Sequence, residues 1–139
     1  MATDKGTMFP GLRYTDVKTA VDWLCTVLGF ERRLVVPGPE GKIVHAQLQL
    51  GTGIIMLGPD DVKNEFGVHV KPPKLMGGMN SQAPYIYIDD IDKHYHDAKE
   101  AGAEILVELR EEPYGGKFYL CRDLEGHIWS FGSYDPLTD

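Results

Sequence analysis

The chain has 139 residues, 42% hydrophobic and 25% charged, with a formal net charge of −7. That length suits one compact domain, or two half-size units sharing a core, of ordinary globular composition. The acidic balance argues against a nucleic-acid partner, no apolar run reaches the roughly 20 residues of a membrane span, and "MATDKGTMFP" lacks the apolar core of a secretory signal.

Cys25 and Cys121 stand far apart and outside any CxxC spacing. The expectation is a cytoplasmic protein with reduced thiols, without a disulfide framework or a structural zinc site.

The first predicted strand lies in "TMFPGLRY". A helix follows in "TDVKTAVDWLCTVLGF", with Thr15 and Asp16 as capping candidates. Val17, Val21, Leu24 and Leu28 fall on one face, and Gly29 stops it. Three strands come next, "ERRLVV", "KIVHAQLQL" and "IIMLG", separated by "PGPEG" and "GTG" turns. A Pro-, Gly- and Met-bearing linker of about residues 59–81 reads as an irregular flap.

The grammar then repeats. A strand in "QAPYIYI" leads to a helix in "DDIDKHYHDAKEAGAE", led by Asp89 and Asp90 and stopped at Gly102. The strands "EILVELREEP", "KFYLC" and "HIWSFG" complete the unit. One offset of 74 residues separates Asp16 from Asp90 and Gly58 from Gly132. The expected fold is therefore α+β. Two tandem βαβββ modules (about 7–58 and 82–134) form a cupped, mixed eight-stranded sheet with helices on its outer face, all within a single domain of residues 1–139.

Strand side chains alternate, so one face of each sheet packs on a helix and the other lines a cup. Alternation places Tyr85 and Tyr87, His45, Gln47 and Gln49, Ile54 and Met56, and Ile128 and Ser130 on the cup side. Phe9 and Arg13 share that parity on the first strand. In "KFYLC" Tyr119 is the choice for the cup and Phe118 the second, with Cys121 a further candidate.

Two βαβββ units whose helices end in "LGF" and "AGAE", followed by "DLEGHIW", resemble the vicinal oxygen chelate superfamily, from about Met8 to Tyr134. That group includes glyoxalase I, extradiol dioxygenases and the bleomycin- and mitomycin-resistance binding proteins. The resemblance implies, for the enzymes of the group, a divalent metal held by His or Glu at four inward positions of the first and last strands. Carried onto this sequence, those positions fall at or beside Phe9, Met56, Ala83 and Ser130. None offers an imidazole or a carboxylate, and a one-residue slip to Pro10, Ile55, Pro84 and Trp129 is no better. The expectation is no metal and no cofactor.

Among the remaining polar residues, His127 reads as a structural hydrogen-bonding group at a turn. His94 and His96, about 200° apart on a helix, read as solvated. His45 is the histidine placed to meet a ligand. No P-loop, dinucleotide fingerprint or Ser–His–Asp order occurs.

The sequence thus predicts a metal-free small-molecule binding protein of the glyoxalase/bleomycin-resistance type, sequestering an aromatic or cationic compound such as an antibiotic. Phe9, Arg13, His45, Gln47, Met56, Tyr85, Tyr87, Tyr119 and Ser130 form its binding set, and there is no catalytic residue. The alternative is a lyase, isomerase or dioxygenase of that superfamily acting on a small metabolite. The apolar open faces predict a homodimer that completes the cup, as the resistance-type relatives form.

Overall fold

The chain runs β1 (Gly11–Tyr14), α1 (Val17–Leu28), β2 (Glu31–Pro37), β3 (Ile43–Leu50), β4 (Gly53–Pro59), β5 (Tyr85–Tyr87), α2 (Ile91–Glu100), β6 (Glu104–Glu111), β7 (Lys117–Arg122) and β8 (Ile128–Gly132). This is a computed structural model describing residues 6–61, 65 and 67–138. The signal reading at residues 1–5 and the linker reading at 62–64 and 66 lie outside the described residues.

The βαβββ unit occurs twice, as the repeat predicts. The eight strands divide into two mixed four-stranded sheets, ordered β1-β4-β3-β2 and β5-β8-β7-β6. In each, the first strand runs parallel to the last, β1 to β4 and β5 to β8, and the other neighbours are antiparallel.

Helix α1 begins where its sequence signals it. The Asp16 carboxylate accepts from the Thr19 N–H at 3.1 Å and from the Thr19 hydroxyl at 2.7 Å. It ends at Gly29, whose φ of 85° is the left-handed conformation a side chain disfavours. The stripe Val17, Val21, Leu24 and Leu28 is buried. Full burial of a leucine such as Leu24 or Leu28 contributes about 1.5–3 kcal/mol. Helix α2 starts the same way, with Asp90 accepting from Lys93 N–H. It buries only Ile91 and Ala98 fully.

The two modules meet on their helix-covered sides. Phe30, just after α1, packs edge-on against Trp129 of β8, with ring centres 5.6 Å apart. His94 of α2 is half-buried rather than solvated. One ring nitrogen lies 2.8 Å from the Leu28 carbonyl that ends α1, the other 2.8 Å from the Tyr119 hydroxyl. Its expected exposure failed because the neighbour it meets belongs to the other module.

The turn between β7 and β8 latches the second module onto the first. Buried Asp123 accepts from the Tyr14 hydroxyl (2.6 Å), the Trp129 indole N–H (3.0 Å) and the Glu125 and His127 backbone N–H groups (both 3.0 Å). Buried Glu125 accepts from the backbone N–H groups of Thr15 (2.6 Å) and Asp16 (2.9 Å), at the entry to α1. His127 has the structural role expected of it, its ring nitrogen 2.8 Å from the Arg13 carbonyl. Each buried polar group is matched, which removes the penalty of taking it out of water.

The linker joins this turn. Pro72 and Pro73 are buried, Lys74 N–H donates to the Glu125 carbonyl at 2.9 Å, and the Asn80 amide donates to the Gly126 carbonyl at 2.8 Å.

Two outcomes follow. Asp123→Ala strands the Tyr14 hydroxyl, the Trp129 N–H and two backbone N–H groups, and lowers the unfolding free energy by about 3 kcal/mol in urea titration. The exposed neighbour Leu124→Ala changes it by less than about 0.5 kcal/mol.

The second concerns pH. Burial holds the His94 imidazole below its ordinary value, against the opposing pull of the Leu28 carbonyl and of Asp97 one turn on. The unfolded chain therefore binds the extra proton first, as pH falls through about 6.5. This contribution is full above that pH and declines below it until His94 itself titrates. Urea midpoints at pH 7.5 and 5.5 measure the decline, and His94→Gln removes it. The exposed carboxylates with lowered values, such as Asp97, act only near and below about pH 4.

Candidate functional site

Helix-side burial fixes the phase of β1, β3, β4 and β8. Leu12 and Tyr14 in β1, Ala46 and Leu48 in β3, Ile55 and Leu57 in β4, and Trp129 and Phe131 in β8 are all buried. The residues alternating with them point to the open face of each sheet.

On the first sheet that face carries Arg13, His45, Gln47 and Met56. Gln47 is the direct cross-strand partner of Met56. The Gln47 amide nitrogen lies 3.1 Å from His45 Nε2. With the amide donating, this arrangement makes Nε2 the acceptor and leaves the ring proton on Nδ1. Arg13 donates to the Pro59 carbonyl at 3.2 Å and lies across Gly58, its partner in β4. Phe9 precedes β1 and is 46% exposed.

On the second sheet, Tyr85 is the partner of Ser130 and Tyr87 that of Gly132. These tyrosines are 38% and 42% exposed. The Tyr85 hydroxyl donates to the Tyr134 carbonyl at 2.6 Å, and that of Tyr87 to Asp89 at 3.1 Å. Burial raises the phenol pKa of Tyr85, and the Asp89 hydrogen bond raises that of Tyr87.

Tyr119 departs from its expected place. It is fully buried on the helix side, stacked on Phe131 at 5.4 Å and bonded to His94. Burial drives its phenol pKa far up. Cys121 is likewise core rather than cup, its thiol pushed up to about 12 by burial. The residues of β7 that reach the open face are Phe118, Leu120 and Arg122, partners of Gly132, Ser130 and Ile128. Both phases of "KFYLC" are apolar, so only pairing with β8 distinguishes them.

The superfamily's metal positions do not fit a metal here. The residues at the positions the resemblance assigns to a metal, Phe9, Met56, Ala83 and Ser130, offer a ring, a thioether, a methyl and a neutral hydroxyl, none a ligand for a hard divalent ion. Among the described residues no group of three or more His, Cys, Asp or Glu is placed to hold one elsewhere. Two surface hollows, of about 430 and 610 Å³, lie away from these residues. Each sits beside a strand-to-helix junction, one at Asp89–Asp92 and the other at Thr15–Lys18.

The sequence model of one family, described as the Glyoxalase/Bleomycin resistance protein/Dioxygenase superfamily, matches residues 8–131. The chain belongs to that superfamily. Its fold is similar to TioX from Micromonospora sp. ML1, with 37% identity and a TM-score of 0.74 over 92% of this chain and 98% of that one. It is 30% identical over 123 residues to the uncharacterized protein Rv0887c of Mycobacterium tuberculosis, spanning 88% of this chain and 71% of that protein. Lactoylglutathione lyase from Agrobacterium tumefaciens shares the superfamily fold at 17% identity and a TM-score of 0.68, over 93% of each chain. No helix among the described residues is long and apolar enough to cross a membrane.

The glycines that close the repeats, Gly58 and Gly132, are floors for planar groups. A Cβ on Gly132 would stand 2.5 Å from the Tyr85 hydroxyl oxygen, 2.8 Å from its ring and 3.0 Å from the Lys117 carbonyl oxygen. A Cβ on Gly58 would meet mainly the tip of Arg13, at 2.7 Å. A flexible side-chain end yields where backbone does not. Gly132→Ala therefore costs about 1–3 kcal/mol of stability, and Gly58→Ala less, in parallel urea titrations.

Proposed function

We propose that the protein is a metal-free binder of aromatic small molecules, held on the open sheet faces of a homodimer. The observation that carries this reading is the composition of those faces. The superfamily's metal positions hold Phe9, Met56, Ala83 and Ser130, while Tyr85, Tyr87 and Phe118 present rings. Stacking contributes about 0.5–1.5 kcal/mol per ring beyond area burial. His45, Gln47 and Ser130 supply the few polar groups that orient a guest. Sequestering an antibiotic is the cellular role we infer, in line with the bleomycin resistance protein named in the superfamily's description.

Dimerisation is supported by where the modules touch. The contacts between them lie on the helix side, in the latch, the Phe30–Trp129 pair and the His94 bridge. The opposite faces keep Phe9, Leu34, Tyr85 and Tyr87 substantially exposed. A second copy laid across them covers this surface and turns two open sheets into an enclosed cup.

The catalytic alternative needs a base and a proton donor on one face. His45 stands on the first sheet, Tyr85 is bonded to a backbone carbonyl, and Tyr119 is buried in the core. Those placements weigh against it.

Light scattering at micromolar concentration should give twice the 15.5 kDa of one chain. A thermal-shift panel of flat aromatic antibiotics should contain stabilisers, since a ligand at about 100 times its Kd adds about 2.7 kcal/mol. Tyr87→Ala should reduce the shift. A stable monomer that no aromatic compound stabilises overturns the reading. Stoichiometric Ni, Zn, Fe or Mn retained after metal supplementation overturns the metal-free part of it.

A further inference from the structure

The chain's net charge of −7 is not the charge of its open faces. Four arginines of the strands belong to those faces. Arg13 lies across Gly58 and Arg33 donates to Gln49. Arg110 stands opposite Phe118, and Arg122 alternates with buried Cys121. Against them stand three glutamates: Glu31, partner of Gln49, Glu104, paired with Arg122 at 2.8 Å, and Glu112, just past β6 and paired with Arg110 at 2.8 Å. The carboxylates nearest the tyrosines, Asp89 and Asp135, stand beyond the strand ends. Each is engaged, by the Tyr87 hydroxyl and the Leu137 N–H respectively.

One cross-strand row of the second sheet gives this charge a shape. Tyr87, Gly132, Phe118 and Arg110 are successive partners across β5, β8, β7 and β6. Neighbouring strands lie about 4.8 Å apart, so Tyr87 and Phe118 flank a slot about 10 Å wide whose floor is a glycine. The Tyr85 phenol already covers that floor, its hydroxyl oxygen and ring standing 2.5 and 2.8 Å from where a Cβ on Gly132 would be. A flat guest therefore stacks on the Tyr85 phenol, above the glycine and not on it. At its far side the Arg110 guanidinium lies 5.2 Å from the Phe118 ring centre. Its Nε–H is bonded to Glu112 at 2.8 Å. The fork keeps four more N–H donors for a second acid.

Building on the binding function proposed above, we infer that the guest is a planar aromatic anion, its ring on the Tyr85 phenol between Tyr87 and Phe118 and its acid group on Arg110. The class is a fused or extended ring bearing a carboxylate, sulfonate or phenolate.

The test uses three probes with one ring system, 2-naphthoate, 2-naphthalenemethanol and 2-naphthylmethylammonium, titrated calorimetrically into the intact protein. The carboxylate should bind about tenfold tighter than the alcohol, and the ammonium weakest. Raising salt from 50 to 500 mM should erode the carboxylate's advantage. Arg110→Gln should cost the carboxylate about tenfold and leave the alcohol within about twofold, a split that general unfolding cannot produce. An ammonium that binds as tightly as the carboxylate, or an Arg110→Gln variant that retains the carboxylate's advantage, overturns the anion assignment and leaves the binding function standing. No binding by any of the three, nor by the aromatic antibiotic panel, overturns both.

Discussion

A single buried carboxylate organises the molecule. Asp123 is reached by four donors, two of them in its own turn, one on the indole of β8 and one on the phenol that ends β1. A carboxylate out of water is tolerable only when its lone pairs are taken up. Here that requirement fixes the β7–β8 turn, the Trp129 ring and the first module at once. Glu125 extends the arrangement by meeting two backbone N–H groups at the entry to α1. Desolvation by burial, with Asp123 beside it, drives the Tyr14 phenol pKa well up. The phenol remains a donor, and the latch keeps its sense.

The latch also decides which surfaces are left for function. Because the modules join through helices and turns, the face of each sheet opposite its helix is not used for joining. The side chains there are a mixture that a folding core would not select: amides and an imidazole on the first sheet, tyrosines on the second, and arginines on both. The repeat is visible in this too. Gly58 and Gly132 occupy equivalent places, and each is overlain by a flat group, a guanidinium in one module and a phenol in the other. The duplication kept the floor and changed what lies on it.

Much of this was legible in the residues. Helix caps and stops, the βαβββ order and the phase of β1, β3, β4, β5 and β8 all follow from local patterns, because each of those strands contrasts a buried phase with a more polar or exposed one. The open-face positions of His45, Gln47, Met56, Tyr85, Tyr87 and Ser130 came with that phase. Tyr119 did not, because Phe118 and Leu120 are as apolar as Tyr119 and Cys121. His94 was missed for a related reason. Its helix offers a weakly apolar face, and the carbonyl that buries it lies 66 residues away. The acids of "DLEG" read locally as turn residues, and nothing nearby in sequence announces the Tyr14 and Thr15 donors that bury them. Tertiary partners, and not local propensity, decide such positions.

The latch unites groups 109 and 110 positions apart in sequence. In the second half of the linker, the backbone N–H of Lys74 and the amide of Asn80 bond to the second module. The covalent connection between the modules raises the local concentration of one about the other. The fold is in this sense a heterodimer that happens to be encoded in one reading frame. Two polypeptides divided between the modules keep the buried latch of Asp123 and Glu125 on one piece and its Tyr14, Thr15 and Asp16 donors on the other. A gene divided there, or two divergent copies exchanging halves, could assemble mixed proteins whose open faces differ while the seam stays the same.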